Sequence, residues 1–253
     1  MEAYHADSSL RGKLRRRLVR LVHRRPLAEA PGRPMISFTF DDAPVTAART
    51  GAEILEARGA RGVFYACAGL VGSEGPMGRY AASDDYLRLA EAGHEIGCHT
   101  YSHLDCGRAS AATALAEAAR NADRFEAWGL PCPETFAYPY GDVSAGPKAI
   151  LARRFSLLRA LHPGLVERGS DLNQAPAVGI EGEHGEASAR RWLERARARN
   201  AWLILYTHDV RPEPSPWGCT PDALTALLDA ALEAGFEVVT VAEGARRLAG
   251  ARA

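Results

Sequence analysis

From Met35 onward, short apolar runs alternate with stretches whose apolar side chains recur at helical spacing. Met35–Phe40, Gly62–Cys67, Glu95–Cys98, Thr135–Tyr138, Ser156–Ala160, Ala177–Ile180, Trp202–Tyr206 and Phe236–Val241 read as strands, Ala177–Ile180 being the weakest. Between them, Ala47–Arg58, Asp84–Ala92 with Ser83 as N-cap, Ala109–Trp128, Pro147–Arg154, Glu186–Arg199 and Pro221–Ala234 predict helices, and a last helix closes the chain. Strict β–α alternation implies a parallel sheet with helices outside it. Seven or eight such units in 253 residues favour a barrel over a doubly wound sheet. In a barrel, catalysis is expected of polar residues at the C-terminal ends of strands. Each candidate motif must therefore follow a strand.

The segment ahead of this alternation differs in kind. Leu10, Leu14, Leu18 and Val22 recur every fourth residue, which predicts a helix over Ser9–Arg25 that Pro26 ends. Residues 8–28 carry eight Lys or Arg and no acid, leaving 23 basic against 31 acidic side chains, a net −8, on the rest. The expected arrangement is a helix docked on the body by its leucines, with the arginines in water. The competing one is an interfacial helix in peripheral contact with a membrane of anionic lipid, or with an acidic partner. Residues 1–33 are thus expected as a basic extension and 34–253 as the functional domain. The acidic body argues against nucleic-acid binding. With 47% hydrophobic residues the chain can bury a full core, which excludes disorder. No apolar run approaches the roughly 18 residues of a membrane span, and no signal-like h-region precedes Pro34, so a cytoplasmic protein is expected. Five scattered cysteines without a CxxC pair read as free thiols in a reducing compartment.

Four strand ends carry chemistry. Asp41 and Asp42 close the first strand, and adjacent carboxylates repel unless a cation separates their roles. His99 and His103 follow the third strand, spaced so that both imidazoles reach one metal ion from a helical turn. That segment lacks the glutamate of HExxH, so the water-activating base comes from elsewhere, Asp41 or Asp42 if the two strand ends meet. Tyr138-Pro139-Tyr140-Gly141 follows the fourth strand, and His208 stands at the tip of Leu203–Thr207.

In this order, the four segments resemble the polysaccharide deacetylase (NodB-homology) family, also called carbohydrate esterase family four, over roughly Pro34 to Leu248. The resemblance implies a distorted, incomplete (β/α) TIM-like barrel of about seven parallel strands. It also implies a metal-dependent hydrolase that removes an N-acetyl group from an amino sugar or glycan. Asp42, His99 and His103 become the metal ligands, Asp41 the general base, His208 the acid that protonates the leaving amine, and the Tyr140 N–H an oxyanion donor. Tyr138, Pro139, Arg159 and Trp217 are the expected substrate contacts, Trp217 by stacking on a sugar face. Zinc suits one carboxylate and two imidazoles, and cobalt, nickel or iron tolerates them.

The chain departs from the family twice. The arginine that pairs with the catalytic aspartate is replaced by Ala137, two positions before Pro139. The segment that orients the catalytic histidine has no counterpart. Arg159, on the neighbouring strand, is the candidate to restore the positive charge; without it the pKa of Asp41 should sit higher than in relatives. Two other readings stay open: a deformylase or deacetylase of a lipid- or nucleotide-linked sugar or small natural product, and a sugar-binding relative without catalysis.

Overall fold

The computed structural model describes residues 10–250. Its main sheet has eight strands: β1 (Met35–Asp41), β2 (Val63–Ala66), β3 (Glu95–Cys98), β4 (Thr135–Ala137), β5 (Leu157–Arg159), β6 (Val178–Gly179), β7 (Trp202–Thr207) and β8 (Glu237–Val238). All pair in parallel, in the order β5-β4-β3-β2-β1-β7-β6, with β8 beside the start of β1. Every residue of β1 is buried, as its apolar run requires of a central strand. The sheet curls into a distorted, incomplete barrel. No regular strand pairing joins β5 to β6; the gap is bridged by irregular main chain, where Ala175 N donates to Leu158 O and Ala160 N to Ala175 O, each at 2.8 Å.

The helices are α1 (Leu10–Val19), α2 (Ala52–Glu56, entered through a π-turn at Ala47–Gly51), α3 (Ser83–Glu91), α4 (Ala111–Ala127), α5 (Ala145–Leu151), α6 (Gly185–Arg199), α7 (Pro221–Glu233) and α8 (Val241–Gly250). Three begin on side-chain caps: Ser110 Oγ accepts from Thr113 N at 3.0 Å, Thr220 Oγ1 from Ala223 N at 3.1 Å and Thr240 Oγ1 from Glu243 N at 3.3 Å. Such a cap contributes about 1 kcal/mol. Ser83, expected as a cap, is instead the first residue of α3. The cap position is Ala82, whose N–H donates to Asp85 Oδ2 at 3.0 Å. A two-residue hairpin, Glu74–Gly75 against Gly78–Arg79, lies in the β2–α3 loop.

Strand parity divides the core. Ile36, Phe38, Phe40, Phe64, Leu203 and Leu205 point outward to the helices, with Phe40 stacked on Phe64 at 4.8 Å. Met35, Val63, Tyr65, Ala137, Leu157, Trp202 and Ile204 fill the barrel interior. Because side chains alternate with period two, Asp41 on β1, Arg159 on β5 and Tyr206 on β7 share that interior face. Gly97 in β3 makes the room: a Cβ there would lie 2.4 Å from the Tyr65 ring.

The N-terminal helix departs from expectation. It stops at Val19, six residues short of Arg25, and His23 beyond it has φ +50°. Its inward face is Gly12, Arg15 and Val19, not the leucines. The Arg15 guanidinium donates to Asp142 Oδ2 at 2.5 Å and to the Gly107 carbonyl, and buried Lys148 caps the Val19 carbonyl at 2.8 Å. Leu14 and Leu18 are exposed. A leucine stripe fixes one face of a helix but does not say which way that face points. Here a half-buried ion pair, the carbonyl bonds and Val19 decide it.

Candidate active site

At the open C-terminal end of the barrel, the main chain turns sharply just beyond three of the strands. Asp42 and Ala43 after β1, Thr100 and His103 after β3, and Tyr140 after β4 all have φ between +45° and +63°. They are five of the seven non-glycine residues with positive φ among the described residues. Each such conformation costs about 1–3 kcal/mol and persists only where its surroundings enforce it. The His99–His103 segment is therefore not the helical turn expected from the spacing. It is a loop in which Thr100 Oγ1 accepts from Leu104 N at 2.8 Å, and the two left-handed residues swing both imidazoles onto one side.

Those turns bring Asp42, His99 and His103 together. One ligand atom from each lies within 4.8 Å of the others, and all three residues are buried. The His103 Nε2 is 3.5 Å and the His99 Nε2 3.9 Å from Asp42 Oδ1. His99 Nδ1 donates to the Ala137 carbonyl at 2.8 Å, which leaves the lone pair on Nε2, facing Asp42. Burial, and then each other's charge or that of a neighbouring cation, lower both imidazoles to about 4, so both are neutral at pH 7. Burial raises Asp42 from the ordinary carboxylate value, which a cation would reverse. Two neutral imidazoles and one carboxylate, converged and shielded from water, fit the donor set of a divalent transition metal. Cys67, which carried no sequence signal, adjoins them: its Sγ donates to His99 O at 2.9 Å and lies 3.8 Å from Asp42 Oδ1. Burial holds that thiol protonated.

Asp41 has a different neighbour. Arg159 Nη2 donates to Asp41 Oδ1 at 2.5 Å, and both residues are buried. The guanidinium lies between two aromatic rings, 5.1 Å from the centroid of Tyr65 and 5.4 Å from that of Tyr206. Burial alone would raise Asp41, but the Arg159 charge overrides it and holds the carboxyl below its ordinary value. Arg159 is paired in register with Ala137. The cation absent from β4 is thus supplied by the residue beside it on β5, and it meets Asp41 rather than the open cleft.

His208 follows β7. Its Nδ1 lies 3.1 Å from the Trp217 carbonyl oxygen and 3.1 Å from Glu181 Oε1. Burial pulls this imidazole down, but Glu181 and the charges of Asp41 and Asp42 outweigh it and push it up to about 9. It is an imidazolium at neutral pH. Glu181 was not singled out in the sequence, although it stands one residue past the weak strand Ala177–Ile180, where a polar residue qualifies by position. Gly179 leaves it space: a Cβ there would sit 3.1 Å from both Glu181 Oε2 and the Tyr206 hydroxyl. The Trp217 loop is tied down by buried Asp209, which accepts from Ser215 N at 2.9 Å and pairs with Arg211 at 2.8 Å.

The remaining expected residues divide. The Tyr140 ring meets His103 edge-on at 4.4 Å, on the rim of the metal-type cluster. Trp217 is 40% exposed and free to stack, while its carbonyl orients His208. Tyr138 does not face the cleft: it is buried, and its hydroxyl donates to Asn173 O at 3.0 Å. Pro139 is likewise buried. These two residues shape the Tyr140 turn from behind.

The comparisons agree with this fold. The family model described as polysaccharide deacetylase matches residues 28–153. A chitin deacetylase of Colletotrichum lindemuthianum is 25% identical over 229 residues, covering 86% of this chain and 82% of that protein. Its solved structure superposes with a TM-score of 0.59 at 18% identity, over 87% of this chain and 91% of that one. A polysaccharide deacetylase-like protein of Mycobacterium smegmatis gives 0.69 at 18% identity over 91% and 96%. A family 4 acetyl xylan esterase of Clostridium thermocellum, solved with a cobalt ion, gives 0.60 at 22% over 83% and 89%. These matches support a divergent member of the polysaccharide deacetylase family, the NodB-homology proteins of carbohydrate esterase family four.

Proposed function

We propose that this protein is a metal-dependent hydrolase that removes the N-acetyl group from amino-sugar residues of an acetylated glycan. The observation that carries this reading is the convergence of Asp42, His99 and His103 between a charge-paired aspartate, Asp41–Arg159, and a charged histidine, His208–Glu181. Asp42, His99 and His103 would hold one divalent cation. When bound, that cation supplies a Lewis acid able to polarise an amide carbonyl and acidify water.

The chain's own residues supply the proton transfers. Asp41, kept ionised by Arg159, accepts a proton from the attacking water. The Tyr140 N–H, presented by a left-handed turn, is assigned to the oxyanion. His208, an imidazolium at neutral pH, donates its proton to the departing amine, which is otherwise a poor leaving group. Glu181 and the Trp217 carbonyl fix the ring so that Nε2 carries that proton toward the substrate. The exposed Trp217 indole provides a face for a sugar ring. Relatives named as chitin deacetylase and as peptidoglycan N-acetylglucosamine deacetylase support an N-acetyl glycan as substrate.

The test is acetate release from N-acetylglucosamine oligomers, before and after dialysis against a chelator and after re-addition of zinc or cobalt. Metal-dependent release of acetate together with a free amine is expected. Equal release in chelated and metal-loaded enzyme overturns the metal assignment. No release from any N-acetyl, N-formyl or O-acetyl sugar overturns the hydrolase.

A further inference from the structure

Helix α1 turns its apolar side to solvent. Gly12, Arg15 and Val19 face the body, and Leu14 and Leu18, flanking them, are 57% and 52% exposed. Leu21 at 71% and Val22 at 39% carry the ridge past the helix end. These four are among only six large hydrophobic residues exposed in the described chain. Single exposed leucines need no explanation, but a run of four within nine residues does.

The surroundings of the ridge say what fits it. Arg17, Arg20, His23 and Arg24 are exposed around it, and no acid occurs between residues 8 and 28. Two cations of the segment are already used inward: Arg15 on Asp142, and Arg25, whose N–H and guanidinium bind Asp171 and the Phe155 and Ser156 carbonyls. Arg24 reaches only a neutral carbonyl, that of Gly169. Two copies of this surface meeting face to face would bring like charges together. A bulky aliphatic ridge flanked by arginines matches a bilayer instead, where leucines enter the acyl boundary and guanidinium groups meet phosphates.

We propose that residues 14–24 form a docking surface for an anionic lipid bilayer. Leu14, Leu18, Leu21 and Val22 enter the interface, and Arg17, Arg20 and Arg24 bind headgroup phosphates. The inward grip of α1 places this surface with respect to the candidate active site. Arg15 holds the Gly107 carbonyl, four residues after His103, and Asp142, two residues after Tyr140. A docked protein therefore carries the β3–α4 and β4–α5 loops next to the membrane. The docking itself is independent of the deacetylase reading.

The experiment is flotation of the full chain with phosphatidylcholine vesicles, alone or with about one third phosphatidylglycerol. Binding to the anionic vesicles is expected, weakened about tenfold on neutral vesicles or in about 0.5 M salt. The double variants Leu14→Ser/Leu18→Ser and Arg17→Glu/Arg20→Glu should each lower anionic-vesicle binding about tenfold or more. Their Tm and turnover of a soluble oligosaccharide should stay unchanged, since these side chains are exposed. Failure to float with anionic vesicles overturns the proposal, as does flotation indifferent to both variants. A concentration-dependent dimer that the leucine variant disperses, without vesicle binding, assigns the ridge to a second copy and overturns it equally.

Discussion

Arg159 stands opposite Ala137 across the β4–β5 ladder, and its guanidinium binds Asp41 at 2.5 Å from the floor of the barrel. The two positions share the interior face of adjacent strands, so a cation moved from one to the other still reaches the same carboxylate. Relocation is thereby possible without rebuilding the loop that carries Tyr140.

Removing this cation should have two measurable effects. Arg159→Met leaves a buried carboxylate uncompensated and should cost about 3–5 kcal/mol of stability, read as a fall in Tm. It should also raise the Asp41 pKa, so the acidic limb of the pH–rate profile moves to higher pH. Ala137→Arg alone should destabilise, because Arg159 already fills the space beside Asp41. Combined with Arg159→Ala, it should return the acidic limb toward its original position. An acidic limb that ignores Arg159→Met would dissociate Asp41 from the rate.

Glu181 should act through His208. Glu181→Gln removes the anion beside Nδ1, and burial then lowers the imidazole pKa from about 9. Deprotonation at lower pH moves the basic limb of the pH–rate profile downward and reduces the rate at pH 8 about tenfold or more. The acidic limb, set by Asp41, should not move. Glu181→Asp should recover part of the loss. NMR titration of His208 in the metal-free protein gives the same answer without turnover: a pKa still near 9 in Glu181→Gln refutes the pairing.

Strand parity made much of this legible in the sequence. The alternation of apolar runs located the strands, and the rule that chemistry follows a strand end selected Asp41, Asp42, His99, His103, Tyr140 and His208. Glu181 escaped because its strand is two residues long, pairing only with Leu205 and Tyr206 near the end of β7, and gives almost no apolar run to follow. The His99–His103 spacing allowed a helical turn, and only backbone geometry reveals the left-handed loop. Tyr138 looked like a cleft residue beside Tyr140, but it alternates with interior Ala137 and packs outward beside Phe136, while the left-handed Tyr140 breaks the alternation. The leucines of α1 could not report their own direction, since Arg15 and Val19 compete for the inward face through partners more than eighty residues away.

The adjacent aspartates should separate by experiment. Asp42→Ala removes a ligand and should reduce bound metal measured by atomic absorption. Asp41→Asn should retain metal, because Asp41 is paired with Arg159 and lies outside the ligand cluster. Its rate should fall about 10²–10⁴-fold, the usual contribution of a positioned general base. Near-wild-type turnover of Asp41→Asn would remove it from the mechanism.

The metal-free protein should show the histidines in its stability. The sign follows from where the proton binds. His99 and His103 fall from an ordinary 6.5 to about 4 in the fold, so the unfolded chain binds their protons first as pH drops. Stability should decline between pH 6.5 and 4, each imidazole contributing up to about 3 kcal/mol. His208 works in the opposite direction. Its rise from 6.5 to about 9 stabilises the fold fully below pH 6.5, and that contribution is lost as pH climbs through 9. Urea unfolding of the chelated protein across pH 4–9 should therefore give a maximum near pH 6–7. In His99→Gln the acid-side decline should become shallower, while the alkaline decline is unaffected. His208→Gln should flatten the alkaline side and, because the His208 charge also lowers His103, slightly soften the acid-side decline. Bound metal should deepen the acid-side loss, because protons then compete with the cation for the same two Nε2 atoms. A stability curve that is flat from pH 7 to 4 in the chelated protein would mean that His99 and His103 are not held neutral by burial.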